Sequence, residues 1–218
     1  MIRKETIKLT FSVEGETEKW YLEWLEKTIN NSADSAYNVS FKTSVSRNPS
    51  KNIKNYNAIS TDKITHICDI EGSDDTSRRN FILLLDELKK ASSSKGIEYR
   101  LGYSNMTFEL WLILHKQDCS GHHSSKTEYL RFINSAFSQS FRSLPDFKKE
   151  TNFKRCLERL DLSDVNNALR RAKRIMDALD SDGTPRKEYK GYSYYEENPS
   201  LSIHLVVEDI LTSCKLIA

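Results

Sequence analysis

A chain of 218 residues, 29% charged and 38% hydrophobic, is long enough for one large domain or for a domain with an appendage, and it needs no disulfide to secure a core. A formal net charge of +2 neither demands nor excludes a nucleic-acid partner, so the distribution of charge has to decide. No apolar run reaches membrane-spanning length, residues 1–5 lack the apolar stretch of a signal peptide, and Cys68, Cys119, Cys156 and Cys214 form no Cys-x-x-Cys pair. A cytoplasmic protein with free thiols and no membrane partner is expected.

In chain order, Ile7, Leu9, Phe11 and Val13 alternate with polar residues and predict a strand. Gly15 to Asn30 predicts a helix, with Trp20, Tyr21, Trp24, Leu25 and Ile29 at helical spacing. Val39 to Val45 alternates again, and Asn48-Pro-Ser50 predicts a turn or short helix carrying Lys51 and Lys54. Ile64 to Ile70 predicts a more buried strand. A helix is expected from Asp74 until the break at Ala91-Ser-Ser-Ser-Lys-Gly96, then a short strand over Ile97, Tyr99 and Leu101. This alternation predicts an α/β fold with a mostly parallel sheet flanked by helices.

The segment Ser104 to His115 predicts a nearly wholly apolar helix, capped by Ser104 or Asn105 and interrupted by Glu109. A carboxylate there needs a partner or a site, because burying it unpaired is costly. Past residue 117 four helices are expected, over 127–141, 148–161, 163–180 and 199–213, with Asn198 as cap of the last and few strand signals. The expected division is therefore an α/β core at 1–117 and a helical C-terminal subdomain at 118–218.

The two most informative stretches are Phe11-Ser-Val-Glu-Gly-Glu-Thr-Glu18 and Cys68-Asp-Ile-Glu-Gly-Ser-Asp-Asp75. Each is a strand that stops at carboxylates. Ligand sites in open α/β sheets lie off the carboxyl ends of parallel strands. If these strands are neighbours, Glu14, Asp69 and Glu71 meet there, either as solvated strand-end charges or as ligands for a hard divalent cation. Glu18, one helical turn beyond Glu14, could help hold a second ion. Cys119, His122 and His123 fit no usual zinc spacing.

Four blocks in order carry a resemblance: Val13-Glu-Gly-Glu-Thr-Glu-Lys-Trp-Tyr21, Cys68-Asp-Ile-Glu71, Ser104-Asn-Met-Thr-Phe-Glu-Leu-Trp-Leu-Ile-Leu-His115 and Asn198-Pro-Ser-Leu-Ser-Ile-His-Leu-Val-Val-Glu208. Together they resemble RloB-like proteins of the wider Toprim group. The resemblance implies a Toprim core, a Mg²⁺- or Mn²⁺-dependent nuclease acting on RNA (including transfer RNA) or DNA, and a role in abortive antiphage defence. By position, Glu14 would be the signature glutamate and Asp69 and Glu71 the metal-binding pair, with Glu18 and Glu109 as further candidate catalytic groups. Glu71 stands where the family carries a second Asp, and Met106 where a Pro is common.

The expected partners are a nucleic acid, a defence-system ATPase or other operon-encoded protein, and a second copy of the chain as a homodimer. The candidate nucleic-acid contacts are Arg155, Arg170, Arg171, Arg174, Arg186, Lys187 and Lys190, with Tyr192 among tyrosines that could stack bases. Solvated basic faces and tyrosines packed in a core explain the same pattern. A rival from another class is a non-catalytic module that binds nucleic acid or a partner protein.

Overall fold

The computed structural model describes residues 4–46, 49, 63–72 and 74–217. The turn or helix expected around Asn48–Ser50, with Lys51 and Lys54, lies outside the described residues except for Pro49.

Four strands form one all-parallel sheet: β1 (Thr6–Val13), β2 (Asn38–Val45), β3 (Lys63–Ile70) and β4 (Glu98–Asn105), in the order β2-β1-β3-β4. Helix α1 (Glu16–Asn31) links β1 to β2, and α2 (Asp75–Lys95) links β3 to β4. The chain therefore builds outward from β1 in one direction and from β3 in the other. The switch point lies between β1 and β3, where Val13 is level with Ile67. In open α/β sheets the ligand crevice lies at the carboxyl ends of such a pair.

Both faces of the sheet are covered, as parallel sheets require. Phe11, Val13 and Ile67 belong to one apolar cluster that runs on through Tyr21 and Leu25 of α1. Ile64, Cys68 and Ile70 alternate to the other face and pack with Phe81, Leu85 and Leu88 of α2. Helix α2 runs through the three serines that suggested a break. It stops at Gly96, whose φ of 66° puts it in the left-handed region that ends helices.

Strand β4 is longer than its alternation indicated and ends at Asn105, so Ser104 and Asn105 are strand residues, not helix caps. The chain turns at Met106 (φ 68°), whose amide donates to the Ile70 carbonyl at 2.6 Å. Helix α3 (Glu109–Lys116) follows, and every residue from Glu109 to His115 is buried. Around it lie α4 (Tyr129–Phe137), the one-turn α5 (Leu144–Phe147), α6 (Glu150–Leu157), α7 (Leu162–Ser181) and α8 (Ile203–Ser213). The same apolar cluster extends from Phe11 through Trp111 and Ala168 to Leu211, so α3 joins the sheet and the C-terminal helices in one core. Tyr21 fastens α1 to α3 through its hydroxyl, 3.2 Å from His115 Nε2.

Two further expectations are corrected. First, Arg186–Tyr189 and Tyr192–Tyr195 pair as an antiparallel hairpin, β5 and β6. Its two-residue loop, Lys190-Gly191, has φ of 51° and 91°, the sign that matches hairpin twist. Tyr192 and Tyr194 face inward from alternate positions and join the α2 cluster, with Tyr194 4.9 Å from the Phe81 ring. Tyr192 is thus packed and not presented for base stacking. Second, the last helix begins at Ile203, and the Asn198-Pro-Ser segment is not its cap. Instead residues 200–202 run beside β4: Asn105 N donates to Ser200 O and Ser202 N to Tyr103 O, both at 2.8 Å. Helix α8 then passes so close to β4 that a Cβ at Gly102 would meet Val206 Cγ2 at 3.0 Å. Among the described residues no helix is long and apolar enough to cross a membrane.

Candidate functional site

At the switch point the structure opens into a cleft of about 690 Å³. Glu14 and Gly15 line it from the turn after β1, Glu18 and Trp20 from the start of α1, Asp69 and Glu71 from the end of β3, and Asn80 and Leu84 from α2. Lys126 and Lys148 reach it from the C-terminal half. Of the five candidate catalytic carboxylates, Glu14, Glu18, Asp69 and Glu71 line this cleft. Glu109 lies one layer behind it, fully buried.

The positions follow from local structure. Glu14 Oε2 accepts from the Asp69 amide at 3.2 Å and so ties the ends of β1 and β3 together. Gly15 is extended (φ −140°, ψ 174°), and a Cβ there would sit 2.9 Å from Glu18 Oε2. A side chain at position 15 would therefore press on the carboxylate that α1 sends into the cleft. Glu18 is only 5% exposed and accepts from Thr17 Oγ1 at 3.0 Å. Glu71 lies past the strand at the mouth, with its side chain 65% exposed, and pairs with Lys126 at 3.3 Å.

Electrostatics divide the mouth from the floor. Burial is the main reason the Asp69 carboxyl is pushed well above the usual carboxylate range, and Glu18, Glu109 and Glu14 push it further. Glu18 is raised for the same first reason, with Glu109 adding to it. The neighbouring Cys68 thiol is also driven up, by burial and then by Glu14 and Asp69, so it is inert. Asp69 Oδ1 is buried and has no hydrogen-bond partner among the described residues. A buried oxygen without a partner, among other carboxylates, is costly and calls for a proton or a cation. It fits a hard cation held by Glu14 and Asp69, with Glu18 in reach of the same floor. As the side chains stand, no three His, Cys, Asp or Glu residues among those described are close enough to hold an ion together. The donors fit the cation in type, and they would have to draw inward to share one.

Sequence reasoning missed Lys126, Lys148 and Trp20. The signal for a lysine was present in Glu109, a carboxylate in an apolar helix that required a partner. That partner is Lys148, whose Nζ lies 3.0 Å from Glu109 Oε1, while Thr107 Oγ1 donates to Oε2. What the sequence could not show is which of the 33 Lys and Arg residues would supply it.

None of the eight candidate nucleic-acid residues is among those lining the acidic cleft. Arg171 donates to the Leu114 and His115 carbonyls at 2.7 and 3.0 Å, capping the end of α3. Arg174 donates to Asp118 at 2.7 Å, and Arg155 to Asn152 at 2.9 Å. Arg170, hydrogen-bonded to Asn167, lines a shallow basic depression on α7 with Arg171 and Arg174. Arg186 and Lys187 are exposed on β5, and Lys190 pairs with Asp86 of α2. In the unused zinc candidate, Cys119 Sγ lies 3.4 Å from His123 Nε2, while His122 is exposed and joins no ligand group.

The four sequence blocks therefore converge in two pairs. The first two form the cleft floor and mouth. The last two form the β4 edge and the start of α3 that stand behind it. No curated protein and no solved structure matches the chain. A family model described as "RloB-like protein" matches residues 11–210 and spans all four blocks. The chain belongs to the RloB-like protein family.

Proposed function

We propose that the chain is a divalent-metal-dependent nuclease with a Toprim-type core, cutting phosphodiester bonds in RNA or DNA as an effector of antiphage defence. The observation that carries this reading is the buried Asp69 oxygen without a partner among the described residues, set among Glu14, Glu18 and Glu109 at a β1/β3 switch point. Mg²⁺ or Mn²⁺ bound there would polarise a phosphate and make water a better nucleophile.

The chain's own residues supply the rest. Glu14 and Asp69 would hold the ion, and the Glu14 carboxylate, fixed by the Asp69 amide, would stand beside the attacking water as its proton acceptor. Glu71, at the mouth, would join only by leaving Lys126. Trp20, half-buried on the cleft wall and 5.7 Å from the Phe153 ring, offers an aromatic edge to a base beside the cut. RNA is the first substrate to try, because an open cleft with one aromatic wall suits an unpaired strand better than a duplex.

A second reading has its own support. Glu71 is already paired, and no three ligands are gathered among the described residues, which suits a module that binds nucleic acid or a defence ATPase without turnover. One experiment separates the two. Labelled transfer RNA, single-stranded DNA and duplex DNA are incubated with Mg²⁺ or Mn²⁺, with EDTA, and with the Glu14→Ala and Asp69→Ala chains. Metal-dependent cuts lost in both variants support the nuclease. Binding that survives EDTA and both substitutions, with no cuts, supports the module.

A further inference from the structure

We propose that Lys148 is the group that receives the scissile phosphate in this cleft: its ammonium, anchored from behind by Glu109, donates to a non-bridging phosphate oxygen beside Asp69. The inference rests on the nuclease reading above and adds a residue and a charge logic to it.

The need for such a group comes from charge. A phosphodiester is an anion, and the cleft floor it must approach carries Glu14, Glu18 and Asp69. One divalent ion does not make that floor attractive to a phosphate. A second, fixed cation is required, and two lysines line the cleft. Lys126 also acts on Asp69, but its ammonium is paired at the mouth with the exposed Glu71. Lys148 stands at the floor, where Glu109, Asp69 and Glu18 all act on its charge.

Its geometry suits the task. Lys148 directly follows the single turn of α5, and its amide donates to the Leu144 carbonyl at 2.8 Å, so its backbone is fixed. The side chain is 39% exposed, while Glu109 behind it is fully buried. Glu109 is the only ion-pair partner of Nζ among the described residues, at 3.0 Å. An ammonium has three N–H donors, and one contact to Glu109 leaves others to point into the cleft. Glu109 accordingly acts through Lys148, as a positioning residue. This also explains why a carboxylate is kept inside an apolar helix, where a pair serving stability alone is often no better than an apolar one.

The reaction served is hydrolysis. Water's oxygen bonds to phosphorus, the phosphorus–oxygen bond to the leaving group breaks, and the proton water loses is matched by one the leaving oxygen takes up. Lys148 makes and breaks no covalent bond. It holds charge that grows on the non-bridging oxygens, the kind of contact whose loss costs about 100-fold or more in rate.

The test uses the full chain as wild type, Lys148→Met, and the double variant Lys148→Met with Glu109→Gln. Single-turnover cleavage of the substrate mixture above is measured in Mg²⁺, and Mn²⁺ binding is measured by calorimetry. The expected result is a loss of about 100-fold in cleavage for Lys148→Met, with Mn²⁺ bound at least as tightly as by wild type. The double variant, whose buried carboxylate is also neutralised, recovers thermal stability and stays inactive. If Lys148→Met cleaves within about threefold of wild type, or the double variant regains cleavage, Lys148 serves only to balance Glu109 and the proposal is overturned. A folded, Mn²⁺-binding wild type that cuts nothing overturns the nuclease reading itself and takes this inference with it. That failure is seen before any variant is compared.

Discussion

Replacing Met106 with proline tests the junction that holds the site together. Met106 lies in the left-handed region at φ 68°, is 8% exposed, and donates its amide to the Ile70 carbonyl at 2.6 Å, one residue past Asp69. Proline fixes φ near −65° and has no N–H. Leaving the Ile70 carbonyl unpaired costs about 1–3 kcal/mol, and re-forming a turn of opposite sign costs about 3 kcal/mol more. The sum is about 4–6 kcal/mol. For a chain of this size each kcal/mol shifts Tm by about 2–4 °C, so Met106→Pro lowers Tm by roughly 10–20 °C in far-UV circular dichroism. Met106→Gly relieves about 1 kcal/mol of backbone cost but forfeits about 2 kcal/mol or more of side-chain burial, so it falls by much less. If Met106→Pro unfolds within about 2 °C of wild type, the left-handed turn and its bond to β3 are not what orients α3.

Asp69→Asn removes a carboxyl whose folded pKa is raised, chiefly by burial. Stability from such a group is full below its ordinary range and is lost as pH rises through the raised value. The variant is therefore more stable than wild type in EDTA at neutral pH, the gain disappears in acid, and Mn²⁺ no longer raises its Tm; a metal-free Tm below wild type at pH 8 refutes this. His66 and His115 are fully buried and their pKa values are lowered by burial to about 4, so each contributes stability above pH 6.5 that is lost as pH falls toward 4. At 1.36 kcal/mol per unit that is roughly 3 kcal/mol each, read by urea titration in the Asp69→Asn background, which leaves Glu18 as the opposing carboxyl of the floor. Gly102→Leu drives a side chain into Val206, 3.0 Å from the Cβ position, and should cost about 1–3 kcal/mol by the same titration. Gly15→Ala crowds Glu18 Oε2 at 2.9 Å and should weaken Mn²⁺ binding in calorimetry more than it lowers Tm.

The parts of the fold that were legible are those where one local period dominates. Ile7 to Val13 and Ile64 to Ile70 announce their strands, and the carboxylates at their ends announce the cleft, because strand order alone then decides that Glu14 and Asp69 meet. The errors lie where tertiary contacts override local preference. Ser104 and Asn105 look like caps, yet β4 continues through them because residues 200–202 supply an antiparallel neighbour from across the chain. The stretch from Arg186 to Tyr195 reads as basic and aromatic. Its period-two tyrosines and its Lys-Gly loop were the available signal for a hairpin, and α2 supplies the surface that buries Tyr192 and Tyr194. Arg171 and Arg174 look like a phosphate track by composition, but one caps α3 and the other pairs with Asp118. Charge in a sequence carries no record of what it is already bonded to.

The same point bears on why the site is built as it is. Placing Glu14, Glu18, Asp69 and Glu109 within electrostatic reach of one another opposes folding, since each carboxylate raises the cost of ionising the next. A sequence selected for stability alone would not keep four of them around one cleft floor. The fold tolerates the arrangement because it is braced from every side: the Asp69 amide on Glu14, Thr17 on Glu18, and Thr107 with Lys148 on Glu109. Asp69 Oδ1 is buried with neither a hydrogen bond nor an ion pair among the described residues. The C-terminal half is thereby more than a cover. It supplies both lysines that line the cleft, so without the residues beyond 117 the carboxylates at the ends of β1 and β3 would stand with no lysine beside them in that cleft.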